Sequence, residues 1–233
     1  MYGLYCKGKH KYQKKDTVLT LADMPVFVAE AVDSLKEMQS AFPDARLGII
    51  ECPDYFCFRF DNGKESSPTP KYAPAVYFKD YMETFLQECK RKKVVIAHFH
   101  FDYHIQGFIR DANLLHGKNL SLQQMPAADD LCLERVRQIN AFFRKRGIAT
   151  GICITPGAYG NKVFSDSPNL DDARSIKTVF SAFAKSNIKM DHLLFQHWHE
   201  FPTRNGPERQ AETFMHNILQ IMRSEDFKAV AGK

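Results

Sequence analysis

The sequence predicts an α/β fold of the TIM-type (β/α) barrel class, either complete or lacking its first strands. Two observations lead to this prediction. Apolar runs alternate with amphipathic segments along the chain, and the links after the runs are longer than the links before them. Strands that alternate with helices pair in parallel through right-handed crossovers. Barrels build their sites from the links that follow the strands. The alternative is an open parallel sheet with flanking helices, which binds ligands at the same edge.

Four short apolar runs are the predicted strands. Each is nearly continuous in hydrophobicity, which is typical of parallel strands that are covered on both faces. A weaker fifth run stands at the start of the chain. The predicted strands cover residues 47–50, 94–101, 148–154 and 192–198, and the weaker run covers residues 2–6.

Five segments carry apolar residues at helical spacing and are the predicted helices. Gly147 follows a basic run and gives the third helix a typical C-terminal stop. Eight strand–helix units close a barrel of about 250 residues, and five are countable here. The apolar stripes are Val28, Val32, Leu35 and Met38; Phe78, Tyr81, Met82, Phe85 and Leu86; Val136, Ile139, Phe142 and Phe143; Ile176, Val179, Phe180 and Phe183; and Phe214, Ile218 and Ile221.

The composition indicates an ordinary globular protein. The 233 residues are 44% hydrophobic and 25% charged, which predicts one α/β domain over residues 1–233. The net charge is +5, but the basic residues are spread along the chain, so no nucleic-acid partner is expected. No run approaches the roughly 20 apolar residues of a membrane span, and the N-terminus lacks the core of a secretory signal. Six cysteines form no Cys-x-x-Cys pair, which favours reduced thiols and a cytoplasmic location.

The end of the second predicted strand carries the strongest chemical signal. His98, His100, Asp102 and His104 alternate with aromatic residues. Because strand side chains alternate between faces, these four residues share one face. We expect that face to be the barrel interior, near the carboxyl end of the strand. The alternative is a polar interior that is held by hydrogen bonds and has no catalytic role.

The other strand ends add further candidates. Glu51 follows the first clear strand, where a barrel enzyme places an acid or base, although a loop glutamate in an ion pair is the alternative. Tyr159 lies in a turn-rich loop after the third strand. Gln196, Trp198 and Glu200 follow the fourth strand. The single tryptophan is suited to stacking on a sugar ring or to packing in a core.

The chain resembles a glycoside-hydrolase-like TIM barrel. The resemblance rests on the passage Ala-Phe-Pro-Asp-Ala-Arg-Leu-Gly-Ile-Ile-Glu at residues 41–51, on Phe-His-Phe-Asp at 99–102, and on Gln-His-Trp at 196–198 followed by Phe-Pro. It implies that strand-end carboxylates act as acid, base or nucleophile on a carbohydrate, without a cofactor. The residues implied are Glu51, Asp102 and Glu200 as the carboxylates, and His98, His100, Tyr159, Gln196 and Trp198 in substrate binding.

Two other hypotheses remain open. The sequence His98-x-His100-x-Asp102 is also similar to the metal-binding strands of metallo-β-lactamase-like hydrolases and of amidohydrolase-type barrels. That similarity implies a divalent metal such as zinc, held by His98, His100, Asp102 and His104. The third hypothesis is a non-catalytic or truncated barrel subunit. Such a subunit would expose strand edges and is expected to form homo-oligomers.

Overall fold

A computed structural model describes residues 20–53, 56–61, 63, 65–66, 73–104, 131–155, 168–195 and 214–232. The predicted strand at residues 2–6 lies outside these ranges. The helices are α1 (Met24–Ala41), α2 (Phe78–Lys92), α3 (Leu131–Arg144), α4 (Pro168–Lys185), α5 (Phe214–Met222) and α6 (Glu225–Val230). The strands are β1 (Gly48–Glu51), β2 (Phe56–Arg59), β3 (Glu65–Ser66), β4 (Ala73–Tyr77), β5 (His98–His104), β6 (Ala149–Thr155) and β7 (His192–Phe195).

The main sheet has four strands in the order β1-β5-β6-β7, with helices between them in the chain. β1 and β5 are parallel, with Gly48 opposite His98. β6 and β7 are also parallel, with Gly151 opposite His192. The predicted α/β class with a parallel sheet and flanking helices is therefore confirmed. β5 begins later than predicted, because the N–H of Val94 still bonds to the last turn of α2.

The chain divides into two compact units, and each is described by itself. The first comprises Met1–Phe101 and Gln138–Ala149, and the second comprises Asp102–Arg137 and Thr150–Lys233. The division falls within β5, directly after Phe101. The prediction of a single domain over residues 1–233 stays a prediction.

A second, smaller sheet occupies the link that follows β1. In its order β3-β2-β4, the first pair is antiparallel and the second is parallel. Phe56, Cys57 and Phe58 of β2 are all buried. No strand was predicted between residues 52 and 77, so these strands are an addition to the predicted fold. Aromatic residues favour extended backbone, and burial of β2 supplies the tertiary support that so short a strand needs.

The core of the first unit contains the predicted stripes of α1 and α2. Val28, Val32 and Leu35 are buried as expected, whereas Met38 is 47% exposed. On α2, four of the five predicted residues are buried, and Leu86 is half-buried. The two helices are also joined by Lys92, whose Nζ lies 2.7 Å from Asp33 Oδ1 and 3.1 Å from Glu88 Oε1.

The second unit has its own aromatic core. The rings of Phe180, Phe195 and Phe227 contact one another with centroids 5.3 to 6.4 Å apart. Asp191 fixes the start of β7, because its Oδ2 accepts a hydrogen bond from the N–H of Thr150 at 2.8 Å. These contacts hold β7 against α4 and α6.

The helix ends follow the expected signals. Gly147 has a φ of 71°, which agrees with the predicted stop after α3. Asn187 ends α4 with a φ of 52°, and Lys93 ends α2 with a φ of 60°. Within the described ranges, no helix has both the length and the apolar character that a membrane crossing would require.

Lys93 provides a test of the α2 end. A left-handed conformation costs a non-glycine residue about 1–2 kcal/mol, so Lys93→Gly is expected to raise the free energy of unfolding by about 1 kcal/mol. Lys90→Gly, inside the same helix, should lower it by about the same amount. Urea denaturation of the two variants measures both effects. Destabilisation by Lys93→Gly would contradict the described end of α2.

Candidate functional site

β5 has one apolar face and one polar face. Phe99 and Phe101 are fully buried, and the ring of Phe99 stacks on Phe143 of α3 with centroids 4.0 Å apart. His98, His100 and Asp102 alternate with them and are each half-buried. Alternation along a strand therefore places these three residues on the face of β5 opposite to the phenylalanines. We call this the polar face of β5.

The two histidines of the polar face contact each other. The ring centroids of His98 and His100 lie 4.8 Å apart, with the ring planes at 35°. His98 also lies over Gly48 of the neighbouring strand. A Cβ atom placed on Gly48 would come within 1.9 Å of the His98 Nε2. The imidazole thus occupies the space that a side chain at position 48 would need.

Glu51 lies on the other side of the same strand pair. It pairs with Phe101, while Ile50 pairs with His100. Because paired residues of parallel strands share a face, Glu51 begins on the apolar side. The glutamate is only 9% exposed, and its Oε1 accepts a hydrogen bond from the Cys52 N–H at 3.1 Å. The register therefore separates Glu51 from the two histidines.

Tyr81 of α2 lies beside Glu51. The tyrosine is fully buried, and within the described part of the chain its hydroxyl has no hydrogen bond of standard geometry. The phenol nevertheless lies close enough to the Glu51 carboxylate to interact with it. Burial, with the negative charge of Glu51, raises the pKa of Tyr81 well above its ordinary value of 10.0. The phenol therefore stays protonated at neutral pH and is a hydrogen-bond donor available to the carboxylate.

Tyr81→Phe tests this environment. At neutral pH the variant should be as stable as the wild type or up to about 1 kcal/mol more stable, because it removes a buried hydroxyl without a well-formed hydrogen bond. Above pH about 10 the unfolded wild-type chain ionises Tyr81 while the folded chain does not, so wild-type stability falls. The variant lacks this loss, and its alkaline unfolding curve should be flatter. A loss of more than about 1 kcal/mol at pH 7 would instead indicate a strong bond to Glu51.

Asp102 affects the pKa of the Cys153 thiol on β6, the next strand of the sheet. Burial raises the pKa of Cys153 to about 12, and the negative charge of Asp102 contributes to the shift. Cys153 is fully buried. Because the thiolate is the reactive form of cysteine, Cys153 is not suited to act as a nucleophile near neutral pH.

Several predicted site residues lie outside the described residues. They are Tyr159, Gln196, Trp198 and Glu200, together with the side chain of His104. In the part of the chain that is described, no group of three or more His, Cys, Asp or Glu residues is arranged to hold a metal ion. The catalytic and binding roles that were predicted for these residues stay predictions.

Sequence reasoning missed Gly48 and Tyr81. A glycine inside a strand is a signal for close approach of another group, and Gly48 lies within the predicted apolar run of residues 47–50. Tyr81 was assigned to the apolar stripe of α2, where its burial was expected. Its position beside Glu51 depends on packing that the sequence does not specify.

Comparisons with known proteins do not assign the chain to a family. No family model, curated protein or solved structure matches it.

Proposed function

We propose that this chain is a carbohydrate-active hydrolase, a glycoside hydrolase whose substrate binds on the polar face of β5. One observation carries the proposal. Half-buried His98, His100 and Asp102 share one face of β5, while fully buried Phe99 and Phe101 occupy the other. The polar residues extend toward the carboxyl end of a parallel strand, which is the end where α/β proteins bind their ligands. Closure of the sheet into a TIM-type barrel is part of the proposal.

Each residue of the polar face has a proposed role. Asp102 supplies one of the two carboxylates that glycoside hydrolysis needs. His98 and His100 position sugar hydroxyls, because an imidazole can donate or accept a hydrogen bond. Trp198 provides a stacking surface for a sugar ring. Tyr159 and Gln196 complete the proposed binding set.

The second carboxylate is assigned to Glu200 in preference to Glu51. Glu51 starts on the face of Phe101 and lies beside a buried phenol, which suits a positioning group better than a group that meets substrate. Glu51 with Asp102 is the alternative pair. Carboxyl groups about 5 Å apart would predict retention at the anomeric carbon, and a separation of about 6.5–9.5 Å would predict inversion.

A panel assay tests the proposed activity. The purified chain is incubated with nitrophenyl glycosides of common hexoses and pentoses and with polysaccharides, after treatment with a chelator. The expected result is release of nitrophenol or new reducing ends from at least one substrate, with no loss of rate on chelation. Absence of hydrolysis across the panel would contradict a glycoside hydrolase.

A metal-dependent hydrolase is the second candidate. The contact of the His98 and His100 rings on one strand face favours it, because two imidazoles are common ligands of zinc. Together with further ligands they would hold the ion, which would lower the pKa of a bound water. The described side chains do not by themselves form a three-ligand group, so the set would need the side chain of His104 or a residue outside the described ranges. Stoichiometric zinc, manganese or iron in the purified protein would favour this candidate over the first.

A further inference from the structure

We infer that Gly48 is a positioning residue of the proposed site, which seats the imidazole of His98 and through it orients His100. A Cβ on Gly48 would lie 1.9 Å from Nε2, 2.0 Å from Cδ2 and 2.6 Å from Cε1 of His98. Three atoms of the ring thus occupy the space that a side chain at position 48 would need. An alanine methyl at position 48 would therefore require the His98 ring to move from its present position.

Backbone conformation does not explain the glycine. Gly48 is a strand residue, and its φ lies outside the left-handed region that favours glycine. Glycine inside a strand weakens the strand, because it loses more conformational freedom on folding than alanine does. The contact with His98 is the feature of this position that requires the absence of a side chain.

The contact between Gly48 and His98 also affects His100. His98 lies against β1 at Gly48, and its ring also contacts the His100 ring at 4.8 Å. A methyl at position 48 would displace the His98 ring from its place over Gly48, and we expect the neighbouring His100 ring to move with it. The role of Gly48 in catalysis rests on the proposed function, because His100 matters for catalysis only if the polar face binds substrate.

A double-mutant cycle tests the contact between Gly48 and His98 without reference to activity. The variants are Gly48→Ala, His98→Ala and the double variant, each measured by urea denaturation. Gly48→Ala is expected to raise the unfolding equilibrium constant about tenfold or more, because the added methyl overpacks the space that the His98 ring occupies. In the His98→Ala background the same change should have no such effect, because the space is empty. Equal destabilisation in both backgrounds, or none in either, would overturn the inferred contact between Gly48 and His98.

The NMR signals of the imidazole rings test whether a change at Gly48 also affects His100. In histidine-labelled protein, Gly48→Ala should shift the ring signals of His98 and His100 and leave His216 on α5 unchanged. Ile49→Val is the matched control, because Ile49 is the next residue of β1 and pairs with Phe99 on the apolar side. It should leave both ring signals in place. A shift confined to His98 would overturn the positioning of His100.

Activity separates this inference from the proposed function. With the fastest-cleaved glycoside of the panel, Gly48→Ala should raise KM about tenfold, because it disturbs groups that bind the substrate. Ile49→Val should leave KM unchanged. If the glycoside panel gives no hydrolysis but the double-mutant cycle shows coupling, the contact between Gly48 and His98 stands and the proposed function fails. If hydrolysis occurs and KM is unaffected by Gly48→Ala, the positioning role fails and the proposed function stands.

Discussion

Asp102→Asn is expected to lower the rate of glycoside hydrolysis by about 10²- to 10⁴-fold, the range in which loss of a general acid or base falls. Asparagine keeps the shape of the side chain but cannot ionise. The fold should survive, because Asp102 is half-buried rather than enclosed in the core. The rate is measured with the fastest-cleaved glycoside of the panel.

Two controls accompany the Asp102 variant. Asp61→Asn changes an exposed aspartate, and it should leave the rate unchanged because the hydrogen bond from Asp61 to Gln138 uses the backbone N–H, which the substitution keeps. The Cys153 thiol gives an internal check, because loss of the Asp102 charge should lower its pKa from the value of about 12. A shifted thiol pKa with an unchanged rate would exclude Asp102 from catalysis.

Phe99→Ala is expected to lower the free energy of unfolding by about 3–5 kcal/mol. Phe99 is fully buried, stacks on Phe143 at 4.0 Å and contacts Phe78 and Phe101 edge-on at 6.0 and 5.1 Å. Truncation would therefore leave a large cavity between β5 and the helices. The effect is measured by chemical denaturation, with the midpoint and slope compared with those of the wild type.

Val95→Ala is the matched control for Phe99→Ala. Val95 precedes β5 and is 70% exposed, so its truncation should change stability by no more than about 0.5 kcal/mol. A cost below about 1 kcal/mol for Phe99→Ala would mean that the apolar face of β5 is not packed as described.

The sequence was sufficient to predict the strands of the main sheet and the two faces of β5. Aromatic and ionisable residues alternate strictly from His98 to His104, so period two separates the faces without knowledge of the neighbours. The helix stripes were also predictable, because burial of Val28, Val32 and Leu35 follows from their helical spacing.

The face of Glu51 could not be predicted in this way. Ile49 and Ile50 are both apolar, so alternation in β1 does not reveal which face meets the helices. The answer comes from the pairing register, which puts Ile49 opposite Phe99 and Glu51 opposite Phe101. Register depends on the partner strand, and a shift of one residue reverses every side chain.

The small sheet was unpredictable for another reason. β3 has two residues and β2 has four, which is too short for a periodic pattern to stand out. What stabilises β2 is tertiary, such as the stacking of Phe56 on Tyr81 with centroids 4.8 Å apart. Local sequence does not encode a contact across 25 positions, and tertiary context commonly overrides strand propensity.

Imidazole resonances in the presence of a sugar test the central claim, that the polar face of β5 binds carbohydrate. Histidine-labelled protein is titrated with the monosaccharide released from the fastest-cleaved glycoside. The His98 and His100 signals are expected to shift together to saturation, while the His216 signal on α5 should not move. Unchanged signals for His98 and His100 at saturating sugar would contradict carbohydrate binding on the polar face of β5.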